Sequence, residues 1–503
     1  MKICFQLQRQ FAYTGHAMAV NLKERYGVKD FCAYVELTPS LTYLQKQTDI
    51  AYSGLLMEAD LHNSYRDEPL DVAYLNQLER EYGIPNLWPY IEIDRTVRYG
   101  LGLREYPYHT PLLSHEEMMR TITGSARKII TFLDTEKPDV IVFSVITDVS
   151  CFLLYHIAKK KGIKTLFIVS ERIGVNYTLT EKYEGLTFVE SVFQELQKKK
   201  LVLTEETARA DEFLRTFREK PAPYTAYDTL KERPVHRGRQ FRFLLPQYIG
   251  TSVYWLIRNT KDYLRYKNRD YIKNPLYLLI DRVKRKTRVL FGFQNFYGVF
   301  NPNEDFVFYP LQLEPEMSIA LFAPYYNDQL WMCKQIARSL PMHMTLYVKE
   351  HPSMWGFRPR SYYRELKKIP NLKLLPPTVI NFDILRRAKL IVTLTGTSGW
   401  EAVLMQKPVI TFGDTFYNML PTVRKCTTVT DLPNLIKEQL GQFRPDESSL
   451  RNLIAALFKE GAPLDLVQLW LKEGSTEMGK KKREVTPFVD YLAKKLNLNL
   501  ARS

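Results

Sequence analysis

Apolar residues arrive along this chain in short runs that alternate with longer amphipathic stretches. KICFQL at 2–7 reads as a strand, GHAMAVNLKERYG at 15–27 as a helix stopped by Gly27, and FCAYVE at 31–36 as a second strand. This alternation marks a layered α/β domain. A polar, helix-rich stretch follows over about 55–135. Then DVIVFSV at 139–145 is near-continuously apolar, as a parallel strand covered on both faces must be. VSCFLLYHIAKKKG at 149–162 predicts a helix with a glycine stop, and KTLFIVS at 164–170 the next strand.

From about 185 to 300 the pattern changes to charged, helical periodicity broken by Pro221, Pro223, Pro234 and Pro246. Its second half, 254–290, interleaves aromatic residues with Lys and Arg. At helical spacing Arg258, Lys261 and Arg265 share one side, with Trp255, Tyr263 and Tyr266 adjacent. A second α/β unit then opens with the apolar runs DFVFYPLQ (305–312) and SIALFAP (318–324) and a helix around 327–339. Strands are expected at 344–352 and 371–377 and a short helix at 381–388. KLIVTLTGTSGWEAVLMQKPVITFG, 389–413, reads as strand, glycine turn, helix and strand. Past 430 the chain is helical and carries the basic run Lys480, Lys481, Lys482, Arg483. The predicted division is 1–185, a helical insertion and linker at 186–300, 301–440, and C-terminal helices over 441–503.

At 503 residues the chain is too long for one small core. With 45% hydrophobic and 25% charged residues it is an ordinary globular protein. Charge changes the picture more: 71 Lys and Arg against 55 Asp and Glu leave +16. That suits an acidic partner, whether nucleic acid, an anionic membrane surface or an acidic small molecule. No nucleic-acid module is visible, so nucleic acid is not expected. The 32 tyrosines suit half-wet binding surfaces. Cys4, Cys32, Cys151, Cys333 and Cys426 are far apart and form no C-x-x-C. This argues against a disulfide framework or zinc module and for a reducing compartment. With no secretory-type apolar run near the N-terminus and no 18-residue apolar stretch, the expected location is the cytoplasm, with contact at the inner face of the cell membrane.

Candidate chemistry gathers in the second unit. Gly396, Thr397, Ser398 and Gly399 join a strand to a helix. Glycine allows a sharp turn and close approach of a ligand, Thr397 or Ser398 can cap the helix, and the helix start suits phosphate. Glu401, one turn on, can accept from ribose hydroxyls. A capped helix with nothing bound explains the same residues. The turn is neither a Walker A loop nor a G-x-G-x-x-G fingerprint. In LYVKEHP, 346–352, a buried strand ends in Lys349, Glu350, His351 and Pro352. Ligands of open α/β sheets bind beyond such carboxyl ends. Lys349 can pair with a phosphate or an acidic sugar and His351 can donate to either; a solvated surface pair is the plain reading. Gln312 and Glu316 stand in a Pro-stiffened strand-to-helix loop that is equally well a simple connection.

K-x-H-P after a strand, followed by T-G-T-x-G-x-E-A and K-P-V-I-x-F-G and an aromatic pair, resembles the bacterial capsule polysaccharide biosynthesis family, including its 3-deoxy-manno-octulosonic acid (Kdo) transferases. The matching residues are Lys349, His351, Pro352, Thr395 to Gly399, Glu401, Ala402, Lys407 to Val409, Gly413, Phe416 and Tyr417. The match covers about 305–420. It implies a GT-B glycosyltransferase: two Rossmann-like domains facing a cleft, 1–185 for the acceptor and 301–440 for the nucleotide-sugar donor, with the basic-aromatic insertion between them. It also implies an inverting, metal-independent transfer, and a CMP-linked acidic sugar would suit Lys349. No Asp-x-Asp sits at a strand end, so no metal ligands or cofactor are expected. The donor residues are then Lys349, His351, Thr395, Gly396, Thr397, Ser398, Gly399, Glu401, Gln312 and Glu316.

An inverting transfer needs a base for the acceptor hydroxyl. Asp148, Glu171 and His16 follow strands of the first unit and are candidates; each is also explicable as a cap or first-turn residue. The partners expected are a nucleotide sugar and a glycan or lipid-linked glycan. Segment 254–290 serves either as a solvated helical pair or as a dock for anionic lipid or acidic glycan. A UDP-sugar 2-epimerase, a CDP-glycerol-type polyol-phosphate transferase and a non-catalytic scaffold of a capsule assembly complex compete with this reading.

Overall fold

The computed structural model describes residues 1–9, 11–95, 97, 111, 113–224, 245–266, 275–466, 469 and 478–501. Two sheets organise them. The first comprises β1 (Lys2–Leu7), β2 (Asp30–Val35), β3 (Tyr52–Met57), β4 (Val140–Phe143), β5 (Lys164–Ser170) and β6 (Asn176–Thr180), with β13 (Gly461–Pro463) added from the far end of the chain. Their order is β13-β6-β5-β4-β1-β2-β3. The second comprises β7 (Phe306–Pro310), β8 (Thr345–Lys349), β9 (Leu372–Leu375), β10 (Leu390–Thr393), β11 (Val409–Thr411) and β12 (Val423–Lys425), ordered β12-β11-β10-β7-β8-β9. Every pairing in the second sheet is parallel; in the first, only those of β6 are antiparallel. The α/β class in two sheet units is what the alternation implied. The strongest runs became central strands: Val140 to Phe143 and Leu390 to Val392 are at most 1% exposed.

Differences fall where local pattern is weakest. β3 was hidden in the polar stretch, because this edge strand is only half-buried and carries Gly54. The apolar run at 318–324 forms a short helix, Met317–Phe322, after the loop. The helix expected at 15–27 begins earlier, at Phe11, and runs to Tyr26. Residues 187–219 are structural core rather than linker. Helices Thr187–Gln197 and Thr204–Glu219 bury Val189, Phe193, Leu214 and Phe217 with Trp400, Leu450 and Leu453 of the second unit. Arg218 holds Glu447 through two bonds of 2.8 Å.

The last helix, Met478–Lys495, returns to the first unit. Phe488, Val489 and Leu492 join the same core as Met18 and Leu22, and Arg25 bonds both oxygens of Asp490 at 2.7 and 2.9 Å. By contrast, helices Pro246–Tyr266 and Pro275–Phe291 carry an exposed apolar row that includes Ile257, Leu264, Ile280 and Val283. Residues 267–274, part of the basic-aromatic stretch 254–290, lie outside the described residues. The pair is tied down at its end, where Val289 is buried and Arg288 donates to the Gly356 and Phe357 carbonyls. Among the described residues, no helix is long and apolar enough to cross a membrane.

Candidate functional site

β7, β8 and β10 end side by side, so their following loops meet. A cavity of about 330 Å³ lies there, lined by Gln312 and Glu316 after β7, Lys349 and His351 after β8, and Thr395, Gly396, Thr397, Ser398 and Glu401 after β10. Of the ten expected donor residues, only Gly399 is missing from the lining. Gly399 is a packing glycine: a Cβ there would sit 2.4 Å from the Tyr417 hydroxyl and 2.9 Å from the Thr393 methyl. Tyr417 in turn donates to the Gly396 carbonyl at 2.9 Å, bracing the turn from beneath.

The N-cap of helix Thr397–Leu404 is Gly396, so neither Thr397 nor Ser398 caps it by its side chain. Buried Gln312 crosses from β7 to the turn. Its amide is best satisfied with the oxygen facing the turn, where it accepts from the Thr395 and Gly396 N–H groups, both at 3.0 Å. Those donors are therefore engaged within the protein. The N–H groups of Thr397 and Ser398, the first two of the helix, have no intrahelical acceptor and carry the positive end of its dipole. Asn381, which the sequence reading passed over, donates to Ser398 Oγ at 3.1 Å and to Glu401 Oε2 at 2.9 Å. It fixes the Glu401 carboxylate at the cavity wall.

The expensive end of β8 has a physical explanation. Glu350 is fully buried and its carboxylate enters an ionic cluster. Arg358, also fully buried, donates to Glu350 through Nη1 and to Glu314 Oε2 and the Gln312 carbonyl through Nη2, both at 2.8 Å. Tyr363 donates to Glu350 Oε2 at 2.6 Å. Burial opposes the charge on Arg358, but Glu350 and Glu314 outweigh it and hold the guanidinium protonated. One cation thus locks the loops that carry Gln312 and His351 into register. His351 Nδ1 accepts from Ser353 N–H at 3.1 Å, so the neutral ring carries its proton on Nε2 and acts as a donor.

The three base candidates fare differently. Asp148 follows β4 and caps helix Val149–Lys160, accepting from Cys151 N–H at 2.8 Å and from Tyr34 at 3.1 Å. It stands in a buried cluster that the sequence did not reveal, because its members come from distant segments. His62 Nε2 bonds Asp94 at 2.6 Å and His62 Nδ1 lies 3.4 Å from Glu58. Burial pushes Asp148 up to about 6 and Glu58 upward as well. Burial would discharge His62, yet the Asp94 carboxylate outweighs it and raises the imidazole. Glu58, His62 and Asp148 each place one ligand atom within 4.8 Å of the others, a spacing also suited to a divalent cation and one that the missing Asp-x-Asp did not anticipate.

His16 is not part of this cluster. Because its helix starts at Phe11, His16 turns into the core, fully buried, with Nδ1 3.0 Å from the Tyr52 hydroxyl. Burial lowers it to about 4. Glu171 is also fully buried, pressed against Gly461 of β13 and pushed well up by burial, and it lies outside the cavity lining. Its neighbour Arg172 is the residue of this pair that reaches the cavity, together with Tyr224. A second cavity of about 230 Å³ adjoins the first, walled by Phe213, Phe217 and Trp400.

Residues 254–456 match the family described as capsule polysaccharide biosynthesis protein. Protein FixF of Sinorhizobium fredii is 31% identical over 160 residues, 30% of this chain and 37% of that protein. The chain thus spans well under half of that relative's length. Among solved structures, the beta Kdo 2,7 transferase KpsC of Thermosulfurimonas dismutans matches at 13% identity and TM-score 0.37, covering 76% of this chain and 94% of its own. The UDP-GlcNAc 2-epimerase of Neisseria meningitidis matches at 11% identity and TM-score 0.28, covering 94% and 100%. Likeness at these scores carries no functional weight; the family match covers every residue of the 396–401 turn and of the β8 end.

Proposed function

We propose that this protein is a GT-B glycosyltransferase of surface or capsular polysaccharide synthesis, passing the sugar of a nucleotide-activated donor to a glycan or lipid-linked glycan. One observation carries the reading: nine expected donor residues from three loops line a single cavity at the carboxyl ends of a parallel sheet. In this scheme Lys349 and the helix start at Thr397 meet the phosphate and any acidic group of the sugar. His351 donates through Nε2, and Glu401 accepts from the ribose. The developing charge on the leaving nucleotide is met by preorganised donors without a metal. Asp148 takes the acceptor proton in an inverting displacement. The donor favoured by Lys349 and the basic chain is a CMP-linked acidic sugar, and the five buried, unpaired cysteines support a cytoplasmic location.

The test is nucleotide release and product analysis with a panel of nucleotide sugars and glycan acceptors, with and without EDTA. A transferred sugar with inverted anomeric configuration, at a rate EDTA leaves unchanged, is expected. An epimerised sugar, a phosphodiester, or nucleotide binding without turnover of any donor would each displace the reading.

The helical pair supports a place at an anionic membrane face. Beside its exposed apolar row stand Arg258, Lys261, Arg265, Lys284 and Lys286, and Arg282 lies 3.8 Å over the Trp255 ring. Apolar insertion flanked by basic side chains is the chemistry of an interfacial helix. In flotation assays the protein should rise with phosphatidylglycerol vesicles but not phosphatidylcholine vesicles, and Ile257→Asp with Ile280→Asp should abolish it. Equal binding to both vesicle types, or none, counts against the surface.

A further inference from the structure

We propose that Arg172 is a donor-binding residue supplied across the cleft by the first unit, its guanidinium gripping an oxyanion of the bound nucleotide sugar. The inference rests on the glycosyltransferase reading and extends it to a residue outside the matched family region. Arg172 follows β5 in a left-handed conformation, φ +56°, with its N–H on Ser170 Oγ at 3.2 Å. That turn sends Glu171 inward to Gly461 and Arg172 outward to the cleft. Arg172 lines both the anion cavity and the adjoining aromatic one, at their shared wall with Thr397 and Glu401.

Its environment is that of a cation awaiting a partner. Nη1 is sealed from solvent and has no hydrogen-bond acceptor, and no carboxylate forms an ion pair with it among the described residues. The guanidinium lies 6.0 Å over the Phe416 ring, which positions it without neutralising it. Buried guanidinium donors are nearly always satisfied, and a planar fork matches phosphate or carboxylate through two bonds. Lys349 and the helix start at Thr397 line the same cavity. Three positive groups from both units thus converge on one cavity, which suits an oxyanion on the donor: the phosphate or the sugar carboxylate.

The experiment titrates wild type, Arg172→Gln and Arg172→Lys with CMP and UDP, with the matching nucleosides, and with the CMP-linked acidic sugar. Wild type should bind one nucleotide more tightly than its nucleoside. Arg172→Gln should lose roughly 10–100-fold of that preference, the range for one charge-assisted contact, with nucleoside affinity and melting temperature unchanged. Arg172→Lys should recover part of it. A loss on the nucleotide identifies the phosphate as the ligand; a loss confined to the sugar-linked donor identifies the carboxylate. Unchanged affinities for both in Arg172→Gln overturn the assignment while leaving the glycosyltransferase reading intact. Failure of wild type to bind any of these ligands overturns both.

Discussion

Arg358→Leu is expected to destabilise the second unit by about 3–5 kcal/mol, the range for removing one partner of a buried ion pair. Glu350 and Glu314 are 0% and 8% exposed and would be left as adjacent buried carboxylates. Burial already pushes Glu314 upward even with the arginine present. Urea unfolding followed by the fluorescence of Trp355 and Trp400 reports this unit. Adding Glu350→Gln to Arg358→Leu removes one stranded charge and should restore part of the loss. A variant as stable as wild type would show that the cluster does not hold the loops. Donor affinity should fall along with stability, since Arg358 ties the Gln312 carbonyl to the strand end that bears His351.

Asp148→Asn is expected to lower kcat by roughly 10²–10⁴-fold, the usual contribution of a general base, with CMP affinity unchanged. Asparagine caps helices as well as aspartate does, so the start of Val149–Lys160 should survive. The pH dependence follows from burial, which raises this carboxyl to about 6. A base works deprotonated, so wild-type kcat should fall as pH drops through about 6 and level off above it. Full turnover in Asp148→Asn would move the role to its neighbour Glu58.

The loops after β8 and β10 were legible because their pattern is local. Lys349, His351 and the 396–401 turn sit where β8 and β10 stop, and strand ends are visible as apolar runs meeting Gly or Pro. Glu58, His62 and Asp94 were not, because they gather beside Asp148, itself read from the end of β4, out of a region that reads only as polar helix. His16 misled for a related reason: an error of four residues in the helix start, Phe11 rather than 15, turns a cleft-facing position into a core one. Arg358 gave no local signal, since a buried arginine and an exposed one have the same sequence neighbourhood. Gly399 was expected in the turn but lies inside helix Thr397–Leu404, and what demands a glycine there is the Tyr417 ring eighteen residues later in the chain.

The return of β13 and helix Met478–Lys495 to the first sheet gives the molecule a double tether. The polypeptide crosses between the units on the way out and again on the way back. Two passes of chain, rather than a single linker, therefore join the lobes. The first lobe is also discontinuous in sequence, so a fragment cut at the end of β6 would leave Met18 and Leu22 without the Phe488 and Leu492 that cover them.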